Sequence, residues 1–179
     1  VQRIELFALS INAVRNMAFS KKIDAVDLHR KTSGNPFFVV EILASATHGM
    51  PLTIRDAILA RIAQLSMPGR QLLELAATIG PRIGQELLSE VAGDDAIHLA
   101  ECIDVGILQV SADEIAFRHE LARDAVLESI EPLLGRRLCR RVLNVLIHFE
   151  KSGRGDLAQL AHFAEVTGDT AVAVEYGLK

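Results

Sequence analysis

The chain has 179 residues, half of them apolar, with 19 basic side chains against 23 acidic ones and a net charge of −4. That length and apolar content support one packed domain or two to three small ones, and exclude a disordered tail. The mild acidity leaves no electrostatic footprint for nucleic acid or an anionic membrane surface, and no apolar run nears the roughly 18 residues that a membrane span needs.

In chain order, the run Ile4-Glu5-Leu6-Phe7-Ala8-Leu9 alternates in a way that suits a strand. Ser10 is a good cap for a helix starting at Ile11. A second helix is expected from Asp24 to about Lys31, with Ala25, Val26 and Leu28 inward. Thr32-Ser33-Gly34-Asn35-Pro36 breaks it. The helix from Phe37 to about Ala46 is apolar on most sides and should be largely buried. His48-Gly49-Met50-Pro51 ends this first module. Thr53 is the expected cap for Ile54 to Leu65, with Ile54, Ile58, Ile62 and Leu65 on one stripe, and Met67-Pro68-Gly69 is the expected break. Further helices are predicted at Arg70–Ile79, Gln85–Val91 and Asp95–Val105, followed by strands Ile107–Val110 and Glu114–Arg118 around a turn at Ser111-Ala112-Asp113.

Three helices and then a hairpin is the winged-helix order, here over about residues 66–119. Leu121–Ile130 reads as a helix broken by Pro132, and Arg136–Phe149 as a long amphipathic one. Leu157–Thr167 and Asp169–Leu178 read as an antiparallel pair turned at Gly168, like the start of a helical-repeat array. The chain opens without Met or a signal-peptide layout and stops inside a helical pattern, so a segment of a longer protein is expected.

Catalytic signatures are missing from the sequence. No Gly-x-x-x-x-Gly-Lys-Ser/Thr loop is there to cradle phosphates, and no apolar strand ends in paired carboxylates for magnesium. No Cys/His cluster has metal spacing, and no nucleophile motif stands out. Cys102 and Cys139 sit in no ligand-like spacing, which reads as filler in a reducing, cytoplasmic compartment. An enzyme is therefore not expected, and neither is a bound metal or cofactor in this chain.

Two segments carry a family resemblance. Leu28-His29-Arg30-Lys31-Thr32-Ser33-Gly34-Asn35-Pro36-Phe37-Phe38-Val39-Val40-Glu41-Ile42-Leu43 and Phe117-Arg118-His119-Glu120-Leu121-Ala122-Arg123-Asp124-Ala125-Val126 are similar to large LuxR-type transcriptional regulators, within the signal-transducing (STAND) branch of AAA-like ATPases. Pro51 to Leu65 fits the same family in order and spacing, and Arg3-Ile4-Glu5-Leu6 resembles the last strand of its ATPase core. The resemblance implies a mainly α architecture. Residues 1–50 would close the core and form a helical lid, 51–131 a linking helix and winged helix with a small β-hairpin, and 132–179 the start of tetratricopeptide-like repeats. It also implies ATP or ADP in the whole protein, held by a core before Val1.

Two site assignments follow. Gly34-Asn35-Pro36 is explained by itself as a loop entering a helix N-terminus; the resemblance implies the Gly-x-Pro motif, whose Pro packs near the adenine. His119 reads by itself as a structural residue at a strand–helix junction; the resemblance is to the Met-His-Asp motif, whose His senses the terminal phosphate of ADP. Arg118 replaces the Met and Glu120 the Asp, so that match rests on His119. Arg118 and Arg123 are open to an anion contact or to plain exposure. Arg136, Arg137, Arg140 and Arg141 share a helix face, with a solvated face or pairing to acids such as Glu131 preferred over a phosphate or acidic partner.

The leading functional expectation is a regulatory relay. Its partners would be the protein's own ATPase core upstream and repeats downstream, and a protein or small-molecule inducer. Neither DNA nor a membrane is an expected partner of this segment. The alternatives are a DNA-binding winged-helix regulator and a non-switching interaction scaffold. The first is opposed by Asp94, Asp95, Glu101 and Asp104 on the helix that would face phosphates.

Overall fold

A computed structural model describes residues 7–19, 23–44 and 50–177. The first module is three short helices, each started by a polar cap. Ser10 Oγ accepts from Ala13 N at 3.2 Å ahead of α1 (Ile11–Ala18), and Asp24 accepts from Val26 N at 2.8 Å ahead of α2 (Ala25–Thr32). Asn35 Oδ1 accepts from Phe37 N at 3.0 Å ahead of α3 (Pro36–Ala44), whose first residue is a proline that needs no N–H partner there. Val14, Ala18, Leu28, Val39 and Leu43 close a small core between them. Two expectations fail in this module. Val26 points outward, and α3 leaves Phe37 and Val40 each 49% exposed. A helix apolar all round buries only the faces that have neighbours, and among the described residues nothing covers the outer side of α3. Residues 7–10 are irregular rather than part of a strand, while residues 1–6, 45–49 and 178–179, with the rest of the opening run and Ala46, His48, Gly49 and Leu178, lie outside the described residues.

The larger body begins with α4 (Leu52–Ile62). Pro51, not Thr53, is its N-cap, because Pro fixes a φ from which the chain turns helical at once. The Thr53 hydroxyl instead donates to the Glu41 carboxylate of α3. The expected break at Met67-Pro68-Gly69 is the first turn of α5 (Met67–Ile79): Ser66 Oγ accepts from Gly69 N at 3.1 Å, and Pro68 falls where no backbone donor is required. Pro132 likewise opens α9 (Pro132–Lys151) rather than merely ending the helix before it, α8 (Glu120–Ser129).

A three-residue strand that sequence periodicity did not reveal, β1 (Arg82–Gly84), precedes α6 (Gln85–Ala92). It pairs antiparallel with β3 (Glu114–Phe117), Ile83 opposite Ile115, and β3 pairs with β2 (Leu108–Ser111), so the sheet runs β1-β3-β2. The helix expected over Asp95–Val105 is divided into a 3-10 stretch, Gly93–His98, and α7 (Leu99–Asp104). Ile97 is 79% exposed, so the apolar face that would hold one continuous α-helix is missing at that turn. The chain ends on α10 (Leu157–Thr167) and α11 (Thr170–Gly177), turned at Gly168 in the left-handed conformation, with α10 packed on both α9 and α11.

One continuous cluster of buried side chains runs from α4 to α10, including Leu72, Leu73, Leu88, Ile115, Leu143 and Leu160. Phe38 of α3 belongs to this cluster rather than to its own module's core. Among the described residues no helix is long and apolar enough to cross a membrane.

Candidate functional site

The turn between α2 and α3 is built to hold one shape. Thr32 is buried; its hydroxyl donates to Leu28 O at 2.7 Å and accepts from Gly34 N at 3.2 Å. Ser33 and Gly34 both have positive φ, 49° and 69°. Gly34 is required there twice over. Its backbone is left-handed, and a Cβ on it would lie 2.3 Å from Leu9 O. Leu9 is brought that close by donating its N–H to Gly34 O at 2.7 Å, while its own carbonyl accepts from His29 Nε2 at 3.0 Å.

This geometry points the turn across to the larger body. Ser33 Oγ donates to Arg118 O at 2.9 Å, and Arg118 N in turn donates to Ile107 O at 2.9 Å. Next to that junction, Arg30 of α2 pairs with Glu120 at the start of α8. Phe38 meets the His119 ring edge-on, centroids 5.0 Å apart. His119 occupies the N-cap position of α8 but makes no side-chain capping bond. Its Nδ1 is buried and has no hydrogen-bond partner among the described residues. Burial above all, then the positive charges of Arg118 and Arg61, pushes the imidazole down to about 4, against the pull of a hydrogen bond with the Thr32 main chain. The ring is therefore neutral near pH 7.

Between the two regions lies a cleft of about 580 Å³. Ser33, Asn35 and Pro36 line one wall, Gln109, Arg118 and His119 the other, and Arg61 of α4 and Asp104 of α7 stand at its edges. Pro36 and His119, far apart in sequence, thus face one cavity. Gly34 lies beneath the wall and shapes it without lining it. Asn35 shares its side-chain oxygen with the α3 N-terminus. Arg61 was not singled out by the sequence, since one Arg on the polar side of a helix carries no spacing signal; only the fold brings it opposite His119.

The other flagged residues lie elsewhere. Arg123 turns inward, its Nε donating to Ala77 O at 2.9 Å. Arg141 donates to Ala92 O at 3.0 Å, at the end of α6. Arg136, Arg137 and Arg140 are exposed around a shallow pocket of about 290 Å³ with Leu133 and Thr167, and form no ion pair among the described residues. Cys102 is buried, and burial pushes its thiol up to about 12, well away from reactivity.

No family model and no curated protein matches the chain. Among solved structures it is similar to a crystal structure of a Signal Transduction ATPase with Numerous Domains (STAND) protein with a tetratricopeptide repeat sensor from Pyrococcus horikoshii. The TM-score is 0.53 at 15% identity, over 88% of this chain and 24% of that one. The likeness is one of fold. This chain spans about a quarter of the length of that protein.

Proposed function

We propose that this chain is the regulatory relay of a STAND-class, ATP-dependent signal-transducing protein of the LuxR type, coupling the nucleotide state of an ATPase core to downstream repeats and an effector. In this reading α1–α3 are the lid, the α5-β1-α6-α7-β2-β3 order is a winged helix, and α9–α11 begin a tetratricopeptide-like array. The chain itself performs no hydrolysis. ATP or ADP belongs to the whole protein, and the cleft is the face that lid and winged helix turn toward it in the cytoplasm.

The observation that carries the reading is the meeting of Pro36 and His119 in one cleft. A proline offers a flat apolar surface for a base, and an unpartnered ring nitrogen offers a bond to a phosphate. The two elements that supply them are held by few bonds, the arrangement expected of parts that close on a ligand in one state and separate in another. A hydrogen bond made in only one state contributes about 1.5–3 kcal/mol when a charge is involved, so its loss shifts the equilibrium roughly ten- to a hundred-fold.

The test uses the whole protein. His119→Ala is expected to shorten ADP retention by about that factor and to raise basal signalling. Pro36→Ala is expected to weaken ADP and ATP alike, since both carry the base. Unchanged ADP retention in a folded His119→Ala protein sinks the reading and leaves His119 a junction residue. The DNA-binding alternative is opposed by charge. Asp94, Asp95 and Asp104 are solvent-facing or edge residues of the segment that would enter a groove, and phosphates repel them.

A further inference from the structure

The arginines are unevenly served. Arg30, Arg55, Arg82 and Arg154 face carboxylates, while Arg70, Arg123 and Arg141 donate to main-chain carbonyls. Arg136, Arg137 and Arg140, in the first half of α9, form no ion pair among the described residues, and neither does Glu131 just ahead of them in the chain. Like charges three and four residues apart on a helix repel one another. The chain carries that cost at one place although its net charge is −4.

The surface around these arginines is hollowed and partly apolar. Arg137 stands between two pockets. One, about 290 Å³, is formed by Leu133, Arg136, Arg137 and Arg140 with Thr167 at the end of α10. The other, about 520 Å³, lies between α5, the 3-10 stretch and α9, with the half-buried Leu134 and Leu138 in its wall. Met67 in the larger pocket and Leu133 in the smaller are 74% and 61% exposed. Open apolar side chains beside unpaired arginines match the make-up of a protein-binding face, in which arginine is enriched and apolar anchors fill pockets.

We propose that this face of α9 docks an acidic segment of a partner protein, whose carboxylates pair with Arg136, Arg137 and Arg140 while an apolar side chain enters the larger pocket. Charge complementarity selects the occupant. A guanidinium matches a carboxylate with two parallel bonds, and arginine clusters are a recurrent reader of acidic motifs. The larger pocket also contains Glu74 and Asp95, so the part of the segment that enters it is apolar and the acidic part stays over the arginines. The same two carboxylates repel a phosphate backbone. Among the described residues no aromatic side chain lines either pocket, which leaves nucleic-acid bases nothing to stack on. Neither pocket shares a residue with the cleft beside His119, so the docking face stands independently of the relay reading.

The probe is a short capped peptide in which glutamates and leucines repeat at helical spacing, titrated into the 179-residue chain with amide shifts followed by NMR. Saturable binding is expected, with shifts centred on α9 and the first turn of α5, and weaker binding as salt is raised. The variant carrying Arg136→Gln, Arg137→Gln and Arg140→Gln should bind about tenfold more weakly. Its melting point should be unchanged, because all three side chains are exposed. Leu133→Ala should weaken binding about fivefold, through lost apolar contact rather than charge. A peptide with glutamine for every glutamate, or alanine for every leucine, should lose most of the affinity. Absence of saturable binding, equal binding of the glutamine peptide, or full affinity in the triple variant overturns the proposal. Two parallel arms test other occupants. Tighter binding of duplex RNA or of phosphatidylserine vesicles through the same arginines would overturn the protein assignment. Self-association of the chain that the triple variant abolishes would assign the face to a second copy and overturn it equally.

Discussion

The two regions on either side of the cleft are held together by different means. The larger body shares one apolar cluster from α4 to α10. The first module has five buried apolar side chains to itself, and its remaining order comes from caps, the Thr32–Gly34 turn and the main-chain clip to Leu9. Apolar burial scales with area and resists any single loss, whereas a polar clip depends on one geometry. The module is therefore anchored where it meets the body, at Phe38, Ser33–Arg118 and Arg30–Glu120. Those anchors surround the cleft. Releasing the module would therefore open the cleft.

Equal deletions on the two sides should separate the regions most strongly. Leu73 and Leu28 are 1% and 3% exposed. Leu73→Ala should cost about 2–5 kcal/mol and lower the melting point of the whole chain. Leu28→Ala removes the same atoms from a smaller cluster, and its loss should appear as local opening: faster amide exchange in α1–α3 with α5 and α8 unaffected. Equal shifts of one cooperative transition by both variants would show that the two regions unfold as a unit.

A smaller effect is expected at the turn. Gly34→Ala forces an L-residue into the left-handed region, at about 1–2 kcal/mol, and sets its Cβ against Leu9 O. The Leu9 N–H to Gly34 O bond should break first, seen as lost exchange protection at Leu9, followed by separation of Phe38 from His119 in NMR contacts. A variant that keeps both shows that the turn adapts rather than holding one shape.

Much of this was legible in the residues. The cap at Ser10, the break at Thr32–Pro36, the hairpin around Ala112 and the Gly168 turn all depend on local chemistry, and local chemistry is what sequence records. The errors have separate causes. Pro68 and Pro132 read as breaks because a proline ends a helix or begins one equally well, and which applies depends on where a preceding cap such as Ser66 lies. β1 was missed because three residues have no period, and its partner β3 lies far along the chain. For the site, Gly34, Asn35, Pro36 and His119 stood out by motif. Arg61 did not, since its significance comes from tertiary placement alone. The split of α7 from its 3-10 lead was hidden because an exposed Ile97 looks like any core isoleucine in a string of letters.

The finest distinction between the regions is one of pH. His119 lies on the seam, and its folded value, about 4, is below the ordinary 6.5. Below pH 6.5 the unfolded or detached state binds a proton that the closed seam refuses, so seam stability falls as pH drops from 6.5 toward 4, and does not fall further from this cause below that. The body has its own acid-sensitive clip, but it titrates later. Hydrogen bonds from His98 and from Ser66 hold Glu101 down to about 2, so its contribution is full above the ordinary carboxylate value and is lost progressively as pH falls from there to about 2. Asp27 in the module is also held low, by Arg30 and Lys31, and acts only below its usual 3.8. Glu74 and Asp124 are raised by burial and work in the opposite sense, favouring the folded body as acid is added. Between pH 6.5 and about 4.5 the seam should therefore loosen while the body holds. The expected signature is broadening of the Val14 and Leu28 methyl resonances over that interval, with Leu73 unchanged, and its disappearance in His119→Gln, which cannot take up the proton. Simultaneous broadening at Leu73, or persistence in His119→Gln, would place the acid sensitivity in the body and leave the seam insensitive to the charge of its histidine.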